Sequence, residues 1–200
     1  MDLVEKSLVS RAKQRDIHAF AELVELYKDR MVSFLFRMTG NREDAYDLAQ
    51  DVFLKVYSNF HAFDSNMRFS PWLYRIAQNL AIDFLRRKKK IVYLDEPLSG
   101  DDDRVWQLES SDPLPEEVAE FKDLEGALER ALLQLNPLYR MVLVLRFVED
   151  LSYEEIANIL SVPSTTVKTR LHRAREALRQ LLVEQGYYEE SQGGKRYGLQ

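Results

Sequence analysis

Residues 152–182 read SYEEIANILSVPSTTVKTRLHRAREALRQLL, and the fold turns on how this stretch is parsed. Ser152 and Glu155 are spaced as a capping box, in which each side chain satisfies a backbone donor of the first helical turn, and Leu151 and Ile156 stand where a hydrophobic staple would. A helix therefore starts at Ser152 and runs to about Leu160. Ser161, Val162 and Pro163 break it, and a second helix carries Val167, Leu171, Ala174, Leu178 and Leu181 on one stripe. Two such helices about a tight turn have the layout of a helix-turn-helix. Opposite the stripe lie Thr165, Thr169, His172 and Glu176, flanked by Lys168, Arg173 and Arg179. Hydroxyls, imidazole and guanidinium groups donate to base edges and phosphates, so this face is expected to meet a DNA major groove. The capping box says helix and nothing of DNA; the basic outer face carries the functional reading.

Upstream, the pattern remains helical. Phe20, Leu23, Val24, Tyr27, Met31, Phe34, Leu35 and Met38 form one apolar face, ended by Gly40. Asn41 caps a second helix whose core face is Ala45, Leu48, Ala49, Val52, Phe53, Val56, Tyr57 and Phe60. After a loop, Ser70 and Pro71 supply an N-cap and a first-turn proline for a third, with Leu73, Ile76, Ala77, Leu80 and Phe84 inward. A further helix begins near Pro115 with Val118, Phe121, Leu128, Leu132 and Leu135 on its face, and another restarts at Asn136 and Pro137. No strand or hairpin signal and no internal repeat is evident, so the expected fold class is all-α.

The charge is unevenly distributed. The net charge of -5 is awkward for a DNA binder, but residues 1–94 sum to +4, residues 95–117 to -8 and residues 118–185 to -1. The acidic stretch DEPLSGDDDRVWQLESSDPLPEE holds three of the six prolines and reads as a linker. The expected organisation is a first helical domain over 1–94, an acidic linker over 95–115, a second small helical domain over 116–185 and a polar tail over 186–200. With no cysteine, disulfide frameworks, thiolate nucleophiles and common structural zinc sites are excluded, and a reducing cytoplasm fits. No apolar run approaches the roughly 20 residues that span a bilayer, nor a signal peptide, so neither secretion nor membrane insertion is expected.

Two further constellations stand out. Asp44, Asp47 and Asp51 line the outer face of the second helix with Gln50 and Leu54 beside them, a pattern that suits either solvation or a protein interface. The loop from His61 to Ser70 is flanked or interrupted by Phe60, Phe63, Phe69 and Trp72 and contains Arg68. The helix after it carries Arg75, Gln78, Asn79, Ile82 and Arg86 outward before Arg87 and Lys88–Lys90. Aromatic rings beside basic groups are what single-stranded bases stack on, and they are also ordinary core material.

Taken together, DAYDLAQDVFLKVY (44–57), FSPWLYRIAQNLAIDFLRRKK (69–89) and SYEEIANILSVPSTTVKTRLHRAREAL (152–178) closely resemble the bacterial RNA polymerase sigma factors of the extracytoplasmic-function (ECF) group, in order, linker and total length. The resemblance runs from the first helix to Leu182. It implies a region 2 helical bundle and a region 4 helix-turn-helix, the middle domain of larger sigma factors being absent. It also implies a factor that binds core RNA polymerase, directs it to promoters and begins DNA melting, with no bond chemistry of its own.

By the same resemblance, Asp47, Gln50, Asp51 and Leu54 would meet the clamp helices of the largest polymerase subunit. Phe63, Arg68, Phe69, Trp72, Arg75, Asn79 and Arg86 would meet the minus-ten element, where a nontemplate base is flipped at a cost of a few kcal/mol. Thr165, Lys168, Thr169, His172 and Arg173 would read the minus-thirty-five element. Core polymerase, promoter DNA and an anti-sigma factor are the expected partners; no cofactor, metal or small-molecule substrate is expected. The linker either mimics nucleic acid in a basic polymerase channel or is a solvated spacer. A stand-alone regulator would have to bind duplex DNA unaided. An enzyme is disfavoured by three scattered histidines (His18, His61 and His172) and by the lack of a glycine-rich phosphate loop.

Overall fold

The computed structural model describes residues 3–65, 67–88 and 121–187. The linker 95–115, Val118, Lys89, Lys90 and the tail from 188 onward lie outside the described residues, and with them the expectations placed there. Among the described residues there are helices and turns but no strand.

The first domain is built from α1 (Leu3–Lys13), α2 (Ile17–Thr39), α3 (Arg42–Asn59) and α4 (Phe69–Lys88). Asp16 caps α2, accepting from the backbone N–H groups of His18 and Ala19. Gly40 ends it in the left-handed conformation, φ 71°, and a Cβ there would also lie 3.0 Å from both methyls of Leu133. Asn41 then caps α3, its side chain accepting from the Asp44 N–H. The inward faces of α2 and α3 are buried through Leu23, Met31, Phe34, Leu35, Leu48 and Val52. Phe53, placed on that face from the sequence, is only half-buried, and Tyr57 is 55% exposed with its edge against Phe20.

Helix α4 starts at Phe69, so Ser70 lies within its first turn rather than capping it, while Pro71 stands in the first turn as its spacing suggests. Helix α1 was not singled out from the sequence. It buries only Leu8, Val9 and Ala12, a stripe too narrow to register as a period. It nonetheless organises its surroundings: Lys13 Nζ donates to the Phe63 carbonyl at 2.8 Å, and Glu5 accepts from the Tyr27 hydroxyl at 2.8 Å. Burial, and then Glu5, raise the pKa of Tyr27 well above its usual value.

The second domain comprises α5 (Phe121–Gln134), α6 (Pro137–Leu143) with a π-helical turn over Val144–Val148, α7 (Tyr153–Leu160) and α8 (Ser164–Glu184). Asn136 caps α6 ahead of Pro137, as its spacing suggests. The buried face of α5 runs through Ala127, Ala131 and Leu132, continuing into Leu135, while Leu128 is 38% exposed. The period located the helix, but the small alanines, which permit close approach to a neighbouring helix, mark the true inner face better than the large apolar side chain does.

The capping box of α7 forms as spaced: Ser152 Oγ accepts from the Glu155 N–H at 3.2 Å and Glu155 Oε2 accepts from the Ser152 N–H at 2.9 Å. Leu151 and Ile156 are buried together. Ser161 takes the left-handed conformation, φ 54°, and α8 restarts behind Pro163.

The two domains pack on each other. Helix α2 lies against α5 and α6, and α4 lies against α7. Arg140 on α6, fully buried, donates through Nε to the Leu132 carbonyl at 2.8 Å, through Nη2 to the carbonyls of Leu133 and Leu135, and through Nη1 to the Met38 carbonyl of the first domain. It thereby satisfies carbonyls that the ends of α2 and α5 leave open, where the helix dipoles favour a cation.

Candidate nucleic-acid and protein interfaces

On α8 the buried stripe is Val167, Leu171, Ala174, Leu181 and Leu182. Thr165, Lys168, Thr169 and His172 are exposed on the other side and Arg173 is half-exposed. Thr169 Oγ1 donates back to the Thr165 carbonyl at 3.0 Å, leaving its lone pairs outward. His172 and Arg173 border a groove shared with Gln134, Asn136 and Tyr139, so they stand at the edge of the helix nearest α6. Two residues passed over in the sequence belong with this face. The Tyr153 ring lies 5.8 Å from Lys168 Nζ and 5.5 Å from Arg146 Cζ, a stack of two cations about one ring. Nothing in a 15-residue separation across a turn signals that contact.

The outer face of α3 is open. Asp47, Gln50 and Asp51 are exposed, and Leu54, 64% exposed, stands among them without burial of its own. Asp44 departs from the stripe: it is half-buried and paired with Lys88 Nζ at 2.5 Å, tying α3 to the end of α4.

The loop before α4 rests on an aromatic cluster. Phe60, Phe63, Phe69 and Trp72 meet with ring centroids 4.9–6.0 Å apart. Phe63 and Phe69, expected beside a DNA base, are 2% and 1% exposed. Their faces are taken by neighbouring rings and, for Phe69, by Tyr27, so in this conformation they shape the loop from beneath. Trp72 is half-buried and Asn79 and Arg86 are exposed on α4, with Gln78 Nε2 donating to Asn79 Oδ1 at 2.5 Å. Arg68 pairs with Glu155 of α7, and Arg75 Nη2 donates to Ser161 Oγ at 3.4 Å.

A third polar site, not foreseen from the sequence, joins the domains. Glu149, with a side chain 3% exposed, accepts from the Tyr74 hydroxyl and from Arg30 Nη2 at 3.2 Å. Burial and then Glu149 push the Tyr74 hydroxyl far above its ordinary pKa, so it remains a donor. Among the described residues no cluster of histidine or carboxylate groups could hold a metal ion, and no helix is long and apolar enough to cross a membrane.

Comparison with known proteins matches these parts in order. The family model of sigma-70 region 2 matches residues 23–91 and that of sigma-70 region 4 matches residues 125–178. The ECF RNA polymerase sigma factor SigW of Bacillus subtilis (strain 168) is 41% identical over 184 residues, covering 91% of this chain and 98% of that protein. Two solved structures share the fold. CnrH in complex with the cytosolic domain of CnrY has a TM-score of 0.67 at 23% identity, over 90% of this chain and 98% of that one. The sigma factor RpoE in complex with the anti-sigma factor NepR, from Bartonella quintana, has a TM-score of 0.61 at 22% identity, over 82% and 96%.

Proposed function

The chain belongs to the ECF group of RNA polymerase sigma factors, and from that premise we propose how its surfaces share the work of promoter-directed initiation. It binds core RNA polymerase, directs it to specific promoters through the minus-thirty-five and minus-ten elements, and initiates melting. As a DNA-binding initiation factor it supplies contacts rather than bond chemistry.

We assign residues 1–94 to core binding and minus-ten recognition, 95–115 to the linker, 116–185 to minus-thirty-five recognition and 186–200 to a polar tail. The observation that carries the reading is the outer face of α8, where Thr165, Lys168, Thr169 and His172 stand exposed behind a fully buried stripe. With Arg173 they form the minus-thirty-five reader, and the Arg146–Tyr153–Lys168 stack holds its cations toward the phosphates. Asp47, Gln50, Asp51 and Leu54 are the contact with the polymerase clamp helices: an exposed leucine ringed by carboxylates and an amide is the composition of an interface patch. Arg68, Trp72, Arg75, Asn79 and Arg86 handle the minus-ten strand, over a loop whose shape Phe63 and Phe69 support. An anti-sigma partner that covers these same faces fits the reading, as NepR binds the RpoE of similar fold. The factor acts in the cytoplasm, where polymerase and promoters are.

The test is run-off transcription with core polymerase on a promoter library. Arg173→Ala or Lys168→Ala should weaken promoter recognition while core binding persists, a lost base contact costing about 1–3 kcal/mol and a lost phosphate contact weakening binding across sequences. Asp47→Lys with Asp51→Lys should abolish core binding instead. If both sets lose the same function, the assignment of faces is wrong.

A further inference from the structure

We infer that α1 sets the shape of the minus-ten loop from behind, and that Lys13, at the end of that helix, is a positioning residue for recognition of the flipped base. The inference rests on the reading of the loop before α4 as the minus-ten contact.

A lysine in the last turn of a helix is ordinarily a solvated group that favours the helix dipole. Lys13 is instead turned onto another element: its Nζ donates to the Phe63 carbonyl at 2.8 Å and to Ser65 Oγ at 3.3 Å, 50 and 52 positions along the chain. Phe63 is where the loop leaves the short 3-10 turn Phe60–Ala62, with extended backbone and its N–H returned to the Phe60 carbonyl at 3.1 Å. Its ring is held by Phe60, Phe69 and Trp72. Lys13 therefore fixes what those contacts leave open, the direction of the carbonyl. Directly after it, the Met67 N–H donates to the Asp64 carbonyl at 2.9 Å, so the peptide that Lys13 orients leads into a hydrogen-bonded turn and on to Arg68.

The same helix reaches the far end of the loop. Glu5 accepts from the Tyr27 hydroxyl at 2.8 Å, and the Tyr27 ring meets Phe69 edge-on with centroids 5.4 Å apart. Helix α1 thus bears on the loop directly at Phe63 and Ser65 and, through Tyr27, at Phe69.

The turn behind Lys13 makes it a firm support. Arg15 is left-handed, φ 66°, its N–H donating to the Ala12 carbonyl at 3.0 Å, and the Asp16 N–H donates to the Arg11 carbonyl at 3.2 Å. Arg11 Nε donates to Asp16, which also caps α2. With Leu8, Val9 and Ala12 buried and α1 packed on α2, the ammonium is carried by a fixed helix rather than by the loop it supports.

A flipped base is read in a close-fitting pocket, by hydrogen bonds that tolerate displacements of only about 0.5 Å. The rings of Phe63 and Phe69 are covered, so the choice of base falls to the backbone and exposed side chains of the loop, whose placement Lys13 sets. A loop shaped before the strand arrives also loses less freedom on binding.

The test titrates holoenzyme, reconstituted from core polymerase and the full-length chain, with single-stranded nontemplate oligonucleotides across a series of salt concentrations. One oligonucleotide carries the selected minus-ten sequence and the other has its flipped base replaced. Lys13→Met keeps the stem and removes the donor. It should lower the matched-to-mismatched affinity ratio by about tenfold, the effect of one lost charge-assisted hydrogen bond, and leave the salt slope unchanged. Lys13→Arg, which keeps a cationic donor of similar reach, should restore most of the ratio. Lys13 is exposed, so circular dichroism melts and core affinity should match the parent, and a ratio of two affinities on one preparation cancels any loss of folded protein.

A phosphate contact by Lys13 would instead weaken both strands alike and lower the salt slope by about 0.7. Uniform weakening, with or without that change of slope, overturns the positioning role, as does a parent-like ratio in Lys13→Met. A parent holoenzyme that does not distinguish the two strands overturns the minus-ten reading of the loop itself.

Discussion

Arg140 has the burial of a core leucine and the charge of a surface residue, and what answers that charge is backbone: the carbonyls of Leu132, Leu133, Leu135 and Met38. Burial pulls its pKa down to about 9, which still leaves it a cation at neutral pH. The planar fork reaches several acceptors at once, which a lysine ammonium cannot do. Arg140→Met should destabilise the protein by about 3–5 kcal/mol, because the carbonyls at the ends of α2 and α5 lose their donor inside the protein. Arg140→Lys should recover only part of this, as read from urea unfolding midpoints. This residue was invisible as a feature of the sequence: its partner Met38 lies 102 positions away, and periodicity reports which side of a helix is buried, never against what. The same limit applies to Phe63 and Phe69, since an aromatic beside a basic residue has the same sequence signature whether the ring lies beneath a binding loop or on top of it.

At the scale of the element, α7 is the part most fully legible in advance, because everything that starts and stops it is local: the Ser152–Glu155 box, the staple and the left-handed Ser161. Helix α1 escaped because three small or medium apolar residues make no stripe, and the inner face of α5 was misjudged at Leu128 because size was weighed over fit. The capping box also makes α7 sensitive to acid. Burial acts to raise the Glu155 pKa, but hydrogen bonds from the Ser152 backbone and hydroxyl, with Arg68, outweigh it, and the net shift is downward. A carboxyl whose folded pKa lies below its unfolded value contributes stability that is complete above the unfolded value, about 4.3, and is lost as pH falls through the folded one. Acid unfolding of the parent should therefore steepen below about pH 4. Glu155→Gln should flatten that slope while leaving the pH 6–8 plateau level, in circular dichroism melts collected across pH. Ser152→Ala should cost about 1 kcal/mol at neutral pH by loss of the cap.

For the whole molecule, the domain seam decides whether two small helical units unfold together or apart. Each domain alone is small, and small domains bury a modest share of their surface and are marginal. Arg140 bridges the ends of α2 and α5, Glu149 binds Arg30 and Tyr74, and the Arg68–Glu155 pair ties α4 to α7, so loss of either domain removes polar partners from the other. Coupling of that kind should make the free chain unfold in one calorimetric transition, with calorimetric and van't Hoff enthalpies in agreement. Glu149→Gln removes a buried carboxylate from the seam without altering either core, and should split the transition into two whose enthalpies sum to nearly the parent value. Raising salt acts in the same direction but less strongly, because Arg68 and Glu155 are partly exposed and screened whereas Glu149 is not. Two transitions in the unmutated chain at low salt would mean that the seam is too weak to couple the domains. One transition that survives both Glu149→Gln and salt would mean that apolar contact, rather than the polar groups, holds them together.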